Sequence, residues 1–126
     1  MLMILTLPQV VTTLLVVTLV SGLVMAGFRF GSDRESPPWL AKTHGYAAVA
    51  AIAVLLFSWN QAAPSRSSVI GVACLLFAVA LGLILNLVYH WRHLPMPEGM
   101  VFIHMAVAFV GFLIVFLSMM SSGAAH

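Results

Sequence analysis

Four long apolar blocks occupy most of this 126-residue chain and restrict what it can fold into. They cover about residues 8–28, 40–59, 69–91 and 99–120. At 1.5 Å of rise per residue, each block is long enough to cross a hydrocarbon core of about 30 Å as an α-helix. The chain is 63% hydrophobic and only 6% charged, which is too little polar surface for a soluble domain. The sequence therefore predicts an all-α integral membrane protein, formed as one domain of residues 1–126 in contact with the lipid bilayer.

The connections between the blocks are short, which predicts an up-down-up-down bundle of four transmembrane helices. Helices are expected because backbone groups in lipid must be satisfied within the segment, and no alternating pattern of barrel strands is present. Most basic residues lie on the side of the first and third connections: Arg29, Arg34, Lys42 and Arg92. The positive-inside rule then predicts that this side is cytoplasmic, with both termini outside. The expected membrane is a bacterial inner membrane.

The scarcity of charge and of cysteine excludes several classes of protein. Five basic and three acidic residues are too few for a nucleic-acid-binding surface. Cys74 is the only cysteine, which excludes an internal disulfide and a cysteine-ligated zinc or iron–sulfur site. No Ser-His-Asp set, phosphate loop or pair of carboxylates indicates hydrolysis or phosphoryl transfer. The first apolar block has no basic segment before it and is longer than the core of a signal peptide, so we expect it to remain as a transmembrane helix.

A shift of 60 residues without a gap superposes the first half of the chain on the second. The coinciding pairs include Gly22/Gly82, Pro37/Pro97, His44/His104, Ala48/Ala108 and Ser58/Ser118. Apolar matches arise easily by chance in a membrane protein, but here the rarer residue types align. The pattern fits either a tandem repeat of a two-helix unit or a coincidence. Tandem units would share one orientation, with their axis along the membrane normal.

His44 and His104 lie well inside their apolar blocks, whereas His90 is at the end of the third block. Each is seven residues after a proline, Pro37 or Pro97, and therefore about 10 Å into its helix. The second and fourth helices run in the same direction, so both imidazoles are expected at one depth. In an up-down-up-down bundle these helices are diagonal neighbours with the bundle interior between them. That gap suits a flat macrocycle with one imidazole on each face of its iron.

Small residues accompany both histidines. The helix stripes that carry the histidines also carry Ala48, Ala108 and Gly111. The other two helices carry Gly22 and Gly82 at a matching depth. A glycine at that depth would let the edge of a planar cofactor approach the helix. Small residues also mark close helix packing, and an intramembrane histidine can simply hydrogen-bond to a neighbouring helix. The coincidence on four helices favours a cofactor, because ionisable groups inside membranes are usually functional.

This pattern resembles the haem-binding four-helix bundle of membrane b-type cytochromes. In that family, helices two and four supply axial histidines, and helices one and three carry glycines beside the ring. The resemblance covers the whole chain and rests on Gly22, His44, Gly82 and His104. It implies one haem b with two histidine ligands, which transfers electrons and does not bind oxygen. Members with two haems carry a second histidine on each helix. Here serines occupy that level, which implies a single haem toward the cytoplasmic side.

Haem propionates would need cations at the nearer interface. The candidates are Arg29, Lys42 and Arg92, which could equally serve only to set the topology. His90 and His93 close the third helix on the same side and are expected at the interface, where they could contact propionates or a quinone head group. An alternative site is a metal ion held by a histidine cluster, whose members would be His44, His90, His93 and His104.

A single haem near one surface cannot by itself carry an electron across the bilayer. The sequence therefore predicts an electron-transfer or anchor subunit rather than an enzyme on its own, with a quinone as a candidate electron donor or acceptor. Its expected partners are a redox subunit or further copies of the chain. The alternative is a cofactor-free structural or assembly subunit of a larger membrane complex. A small transporter is less favoured, because the four blocks contain no embedded acidic residue to couple ions.

Overall fold

The computed structural model describes residues 6–32 and 34–123 and contains four long helices. These are α1 (Leu7–Gly31), α2 (Pro38–Ser58), α3 (Arg66–Ile84) and α4 (Glu98–Gly123), and a π-helix (Leu85–His90) continues α3. With the π-helix counted as part of the third span, all four are long and apolar enough to cross a membrane. No strand occurs among the described residues. The prediction of an all-α membrane protein with four transmembrane helices is confirmed, and the predicted helix ends differ by one to three residues.

The contacts between helices divide the chain into two compact units, Met1–Ala63 and Pro64–His126. In the first, α1 packs against α2, and in the second, α3 packs against α4. Each unit is a hairpin of two long helices with a short connection, and we call them the first and second hairpins. The first residues of α2 and α4 are 60 residues apart, which is the spacing of the sequence repeat.

The two hairpins bury residues at equivalent positions. The buried pairs that are 60 residues apart are Val11/Gly71, Leu15/Leu75, Ala51/Gly111 and Leu55/Val115. Most other large apolar side chains are exposed, as expected where the solvent is lipid rather than water. The shared pattern of burial supports a tandem repeat of a two-helix unit.

Prolines set the depth of the two histidines. Pro37 and Pro97 immediately precede α2 and α4, and the carbonyl of each accepts a 3.0 Å hydrogen bond from the N–H three residues later. A proline suits this place because the first backbone N–H groups of a helix have no partner within it. His44 and His104 each follow six residues after the first residue of their helix, about 9 Å along its axis.

The second hairpin has a close helix crossing at two glycines. A Cβ atom on Gly71 would lie 2.7 Å from Cγ2 of Val115 and 3.1 Å from its backbone nitrogen. A Cβ atom on Gly111 would lie 3.0 Å from Cβ of Cys74 and 3.1 Å from the Gly71 carbonyl oxygen. Gly71 and Gly111 therefore allow α3 and α4 to approach closely, as small residues do in many membrane helix pairs.

Replacing Gly71 with alanine is expected to lower the free energy of unfolding by about 1–3 kcal/mol, because the added methyl group meets backbone as well as a side chain. The measurement is an unfolding titration with a denaturing detergent. Gly99→Ala is the matched control, since a Cβ atom at Gly99 meets nothing within 4 Å. Equal destabilisation by both changes would contradict the close crossing.

The end of the third span departs from the uninterrupted α-helix that hydropathy predicts. The N–H of Trp91 donates to the carbonyl of Asn86 at 2.9 Å, which is the five-residue spacing of a π-helix. A turn follows the π-helix and ends at His93, whose φ is 52°, a left-handed conformation that favours glycine. Leu94 N–H donates to the Tyr89 carbonyl at 2.9 Å, and His93 N–H to the His90 carbonyl at 3.2 Å. This pair of hydrogen bonds is a Schellman motif with histidine in the usual place of glycine.

His93→Gly is expected to raise the free energy of unfolding by about 0.5–1 kcal/mol, because glycine adopts a positive φ without steric strain. His93→Ala should give no such gain, since it removes the imidazole but keeps a Cβ atom in the left-handed conformation. The same detergent titration measures both variants. A gain from alanine equal to that from glycine would assign the effect to loss of the imidazole.

Candidate functional site

His44 is a half-buried residue of α2 whose imidazole lies against α1. Its Nδ1 atom is 2.9 Å from the backbone carbonyl oxygen of Thr18. A carbonyl oxygen can only accept a hydrogen bond, so Nδ1 is the donor and carries a proton. In the neutral imidazole the lone pair then lies on Nε2, which is the nitrogen that would ligate a metal in this tautomer.

His104 has the same setting in the second hairpin. It is a half-buried residue of α4, and its Nδ1 donates to the Ala78 carbonyl of α3 at 2.9 Å. Thr18 and Ala78 are 60 residues apart, as are the two histidines, and each lies 26 residues before the histidine it holds. Both hairpins therefore fix an imidazole as the same tautomer through a backbone carbonyl of the neighbouring helix.

Gly22 and Gly82 make room for these imidazoles. Each lies one helical turn after the residue that supplies the carbonyl. A Cβ atom on Gly22 would be 2.9 Å from Cε1 of His44, and one on Gly82 would be 3.1 Å from Cε1 of His104. The sequence assigned these glycines to the edge of a cofactor. In the structure, the space beside each one contains the imidazole of its own hairpin.

The other small residues have different settings. Ala48 and Ala108 are half-buried, one turn beyond the histidines. Gly111 is buried at the close crossing of α3 and α4, beside the Gly71 carbonyl. Gly111 thus contributes to helix packing, which is the alternative role that the sequence leaves open for small residues.

The predicted cationic residues lie at the connection end of each hairpin, which is the end that carries its histidine. Arg29 is half-buried in the last turn of α1, and Lys42 is exposed two residues before His44. Arg92 is exposed just beyond the π-helix. Their pairing with haem propionates stays a prediction.

His90 and His93 lie at the end of the third span, the first half-buried and the second exposed. Over residues 6–32 and 34–123, no three side chains of His, Cys, Asp or Glu come together as a group that could hold a metal ion. The alternative four-histidine metal cluster would need His90, His93 and His104 of the second hairpin to lie together, and these described residues do not form such a group.

Sequence reasoning missed the groups that hold the imidazoles. The backbone carbonyls of Thr18 and Ala78 give no signal in a sequence, because every residue carries a carbonyl. Ser21, whose Oγ lies 3.4 Å from Nδ1 of His44, was also missed. A polar residue directly before Gly22 is the signal that could have revealed it.

Comparison with known proteins adds no family to this geometry. No family model, curated protein or solved structure matches the chain. The setting of His44 and His104 is therefore the basis on which a function is assigned.

Proposed function

We propose that the chain is an integral membrane b-type cytochrome with one haem b ligated by His44 and His104. The observation that carries the proposal is the repeated hydrogen bond from Nδ1 to a backbone carbonyl at 2.9 Å. Metal-ligating histidines almost always donate a hydrogen bond from their second ring N–H group to a carbonyl, a carboxylate or water. Each hairpin thus supplies one imidazole in a tautomer that could ligate a metal through Nε2.

The residues present fit a haem group. Neutral imidazole is a suitable ligand for iron. The Thr18 and Ala78 carbonyls hold the two rings in orientation, and hydrogen bonding to Nδ1–H increases electron donation from Nε2. The glycines place each ring edge close to a neighbouring helix. With His44 and His104 as its ligands, a bound haem would transfer single electrons and would not bind oxygen.

The proposed role is an electron-transfer or anchor subunit rather than an enzyme on its own. The helices take up most of the described chain, and the connections between them are short. Little of the described chain could house a second redox centre outside the membrane. We therefore propose association with a partner redox subunit or with further copies of the chain, and a quinone as a candidate electron carrier. We also propose that the haem lies toward the cytoplasmic side of a bacterial inner membrane, and the distribution of Arg and Lys supports that side.

The second candidate is a cofactor-free structural subunit of a membrane complex. The same hydrogen bonds favour it, because each joins one helix directly to another, from α2 to α1 and from α4 to α3. The close crossing at Gly71 and Gly111 is likewise a packing feature that needs no cofactor.

An absorption spectrum separates the two candidates. The chain, expressed in cells that make haem and purified in mild detergent, should show a Soret band and a sharp α-band on reduction, with one haem per chain. A colourless preparation that takes up no added haemin would support the structural subunit and contradict the cytochrome.

A further inference from the structure

His44 has a polar side chain beside its imidazole in addition to the carbonyl of Thr18. Ser21 Oγ lies 3.4 Å from His44 Nδ1 in the first hairpin. The residue 60 positions later, next to Gly82, is Leu81, which has no polar side-chain atom. The imidazole of His44 therefore has a side-chain hydroxyl beside its Nδ1–H, in addition to the carbonyl that both histidines use.

The hydrogen bonds of Ser21 define what this hydroxyl can do. Ser21 is buried, with 7% of its surface exposed. Its Oγ is 2.7 Å from the Val17 carbonyl and 3.0 Å from the Thr18 carbonyl. The shorter distance indicates that the Ser21 hydroxyl donates its proton to the Val17 carbonyl. The Nδ1–H group of His44 donates to the Thr18 carbonyl, so the Ser21 hydroxyl cannot donate to that nitrogen. The hydroxyl oxygen of Ser21 is therefore a second acceptor beside the same N–H group.

A second acceptor changes the electronic character of a ligand. An N–H group shared between two oxygens is polarised by both, which places more electron density on the opposite ring nitrogen. A stronger donor stabilises ferric relative to ferrous iron. Hydrogen bonding around an axial ligand is one of the means by which a protein sets the potential of its haem.

We infer that Ser21 is a positioning residue that strengthens electron donation by His44 and so lowers the reduction potential of the haem. This inference rests on the proposed function, because it takes His44 and His104 as the ligands. It adds that a side chain beside one ligand tunes the haem, and it names that side chain.

The test is a spectroelectrochemical titration of purified holoprotein. Ser21→Ala should shift the potential to a more positive value, and Ser21→Thr, which keeps the hydroxyl, should restore it. Ser58→Ala is the matched control, since the Ser58 hydroxyl also donates to a carbonyl of its own helix, that of Leu55, and should leave the potential unchanged. No shift, a negative shift, or equal shifts from alanine and threonine would overturn the inference.

A reciprocal change in the second hairpin keeps the test decisive if Ser21→Ala fails to fold. Leu81→Ser places a hydroxyl at the equivalent position beside His104 and should shift the potential to a more negative value. An unchanged or more positive potential in this variant would count against the role assigned to the hydroxyl.

A readout without haem separates failure of this inference from failure of the proposed function. In haem-free protein labelled with ¹⁵N-histidine, Ser21→Ala should move the Nδ1 resonance of His44 and leave that of His104 in place. If wild-type protein binds no haem, the cytochrome proposal fails, while the resonance still reports whether Ser21 contacts His44. If haem binds and neither potential nor resonance responds, only the role of Ser21 is refuted.

Discussion

Replacing either His44 or His104 with alanine is expected to abolish the low-spin spectrum of a haem with two imidazole ligands. Each change removes one of the two proposed ligands, and neither helix offers a second histidine within its span to replace it. Mutating only a group that orients a metal ligand weakens binding by roughly 10–100-fold, so loss of the ligand itself should cost at least that much. Haem content per chain and the reduced α-band measure the effect.

The controls for this prediction are the histidines at the end of the third span. His90→Ala and His93→Ala should keep the bis-histidine spectrum, because both residues lie at the end of the third span and neither is a proposed ligand. Loss of haem in either would show that the ligand assignment is wrong. Helix content measured by circular dichroism should remain unchanged in all four variants, which separates loss of a ligand from loss of the fold.

Gly22→Ala is expected to lower the affinity for haem by about 10–100-fold. The new methyl group would lie 2.9 Å from Cε1 of His44 and 3.2 Å from its Nδ1. The imidazole must then move, and the 2.9 Å hydrogen bond to Thr18 lengthens or breaks. Gly82→Ala should follow the same course with a smaller loss, because its methyl group would lie 3.1 Å from Cε1 of His104. Titration of haem-free protein with haemin in detergent measures both affinities.

Two glycines of the first hairpin serve as matched controls. A Cβ atom on Gly27, in the same helix as Gly22, or on Gly45, directly after His44, meets nothing within 4 Å. Alanine at either position should leave haem affinity unchanged and stabilise its helix by up to about 1 kcal/mol. An affinity loss with Gly27→Ala as large as that with Gly22→Ala would point to a general response of α1 rather than to contact with His44.

Hydropathy was sufficient to predict the four helices, because lipid requires long apolar segments with satisfied backbones. It could not predict the π-helix at Leu85–His90, since a change from four- to five-residue hydrogen bonding leaves the apolar pattern intact. The left-handed conformation of His93 was equally invisible, because glycine, not histidine, is the residue that signals it.

The candidate site was partly readable from rare residues at matching positions. His44, His104, Gly22 and Gly82 stood out through their 60-residue spacing, and the structure brings each histidine together with the glycine of its own hairpin. What those glycines contact was not readable, because a missing side chain does not specify its neighbour. Gly111 shows the same limit, since the sequence grouped it with the cofactor and the structure places it where α3 and α4 cross.

The matching layout of the hairpins has a consequence for how such a chain could arise. A protein of half this length would contain one proline-started helix with one histidine, and two identical copies would have to associate to provide a pair of imidazoles. Joining the copies end to end fixes their ratio at one to one and releases each half from the constraint of symmetry. The differences between Ser21 and Leu81, and between Val11 and Gly71, are the kind of divergence that a fused chain can accumulate and an association of identical copies cannot.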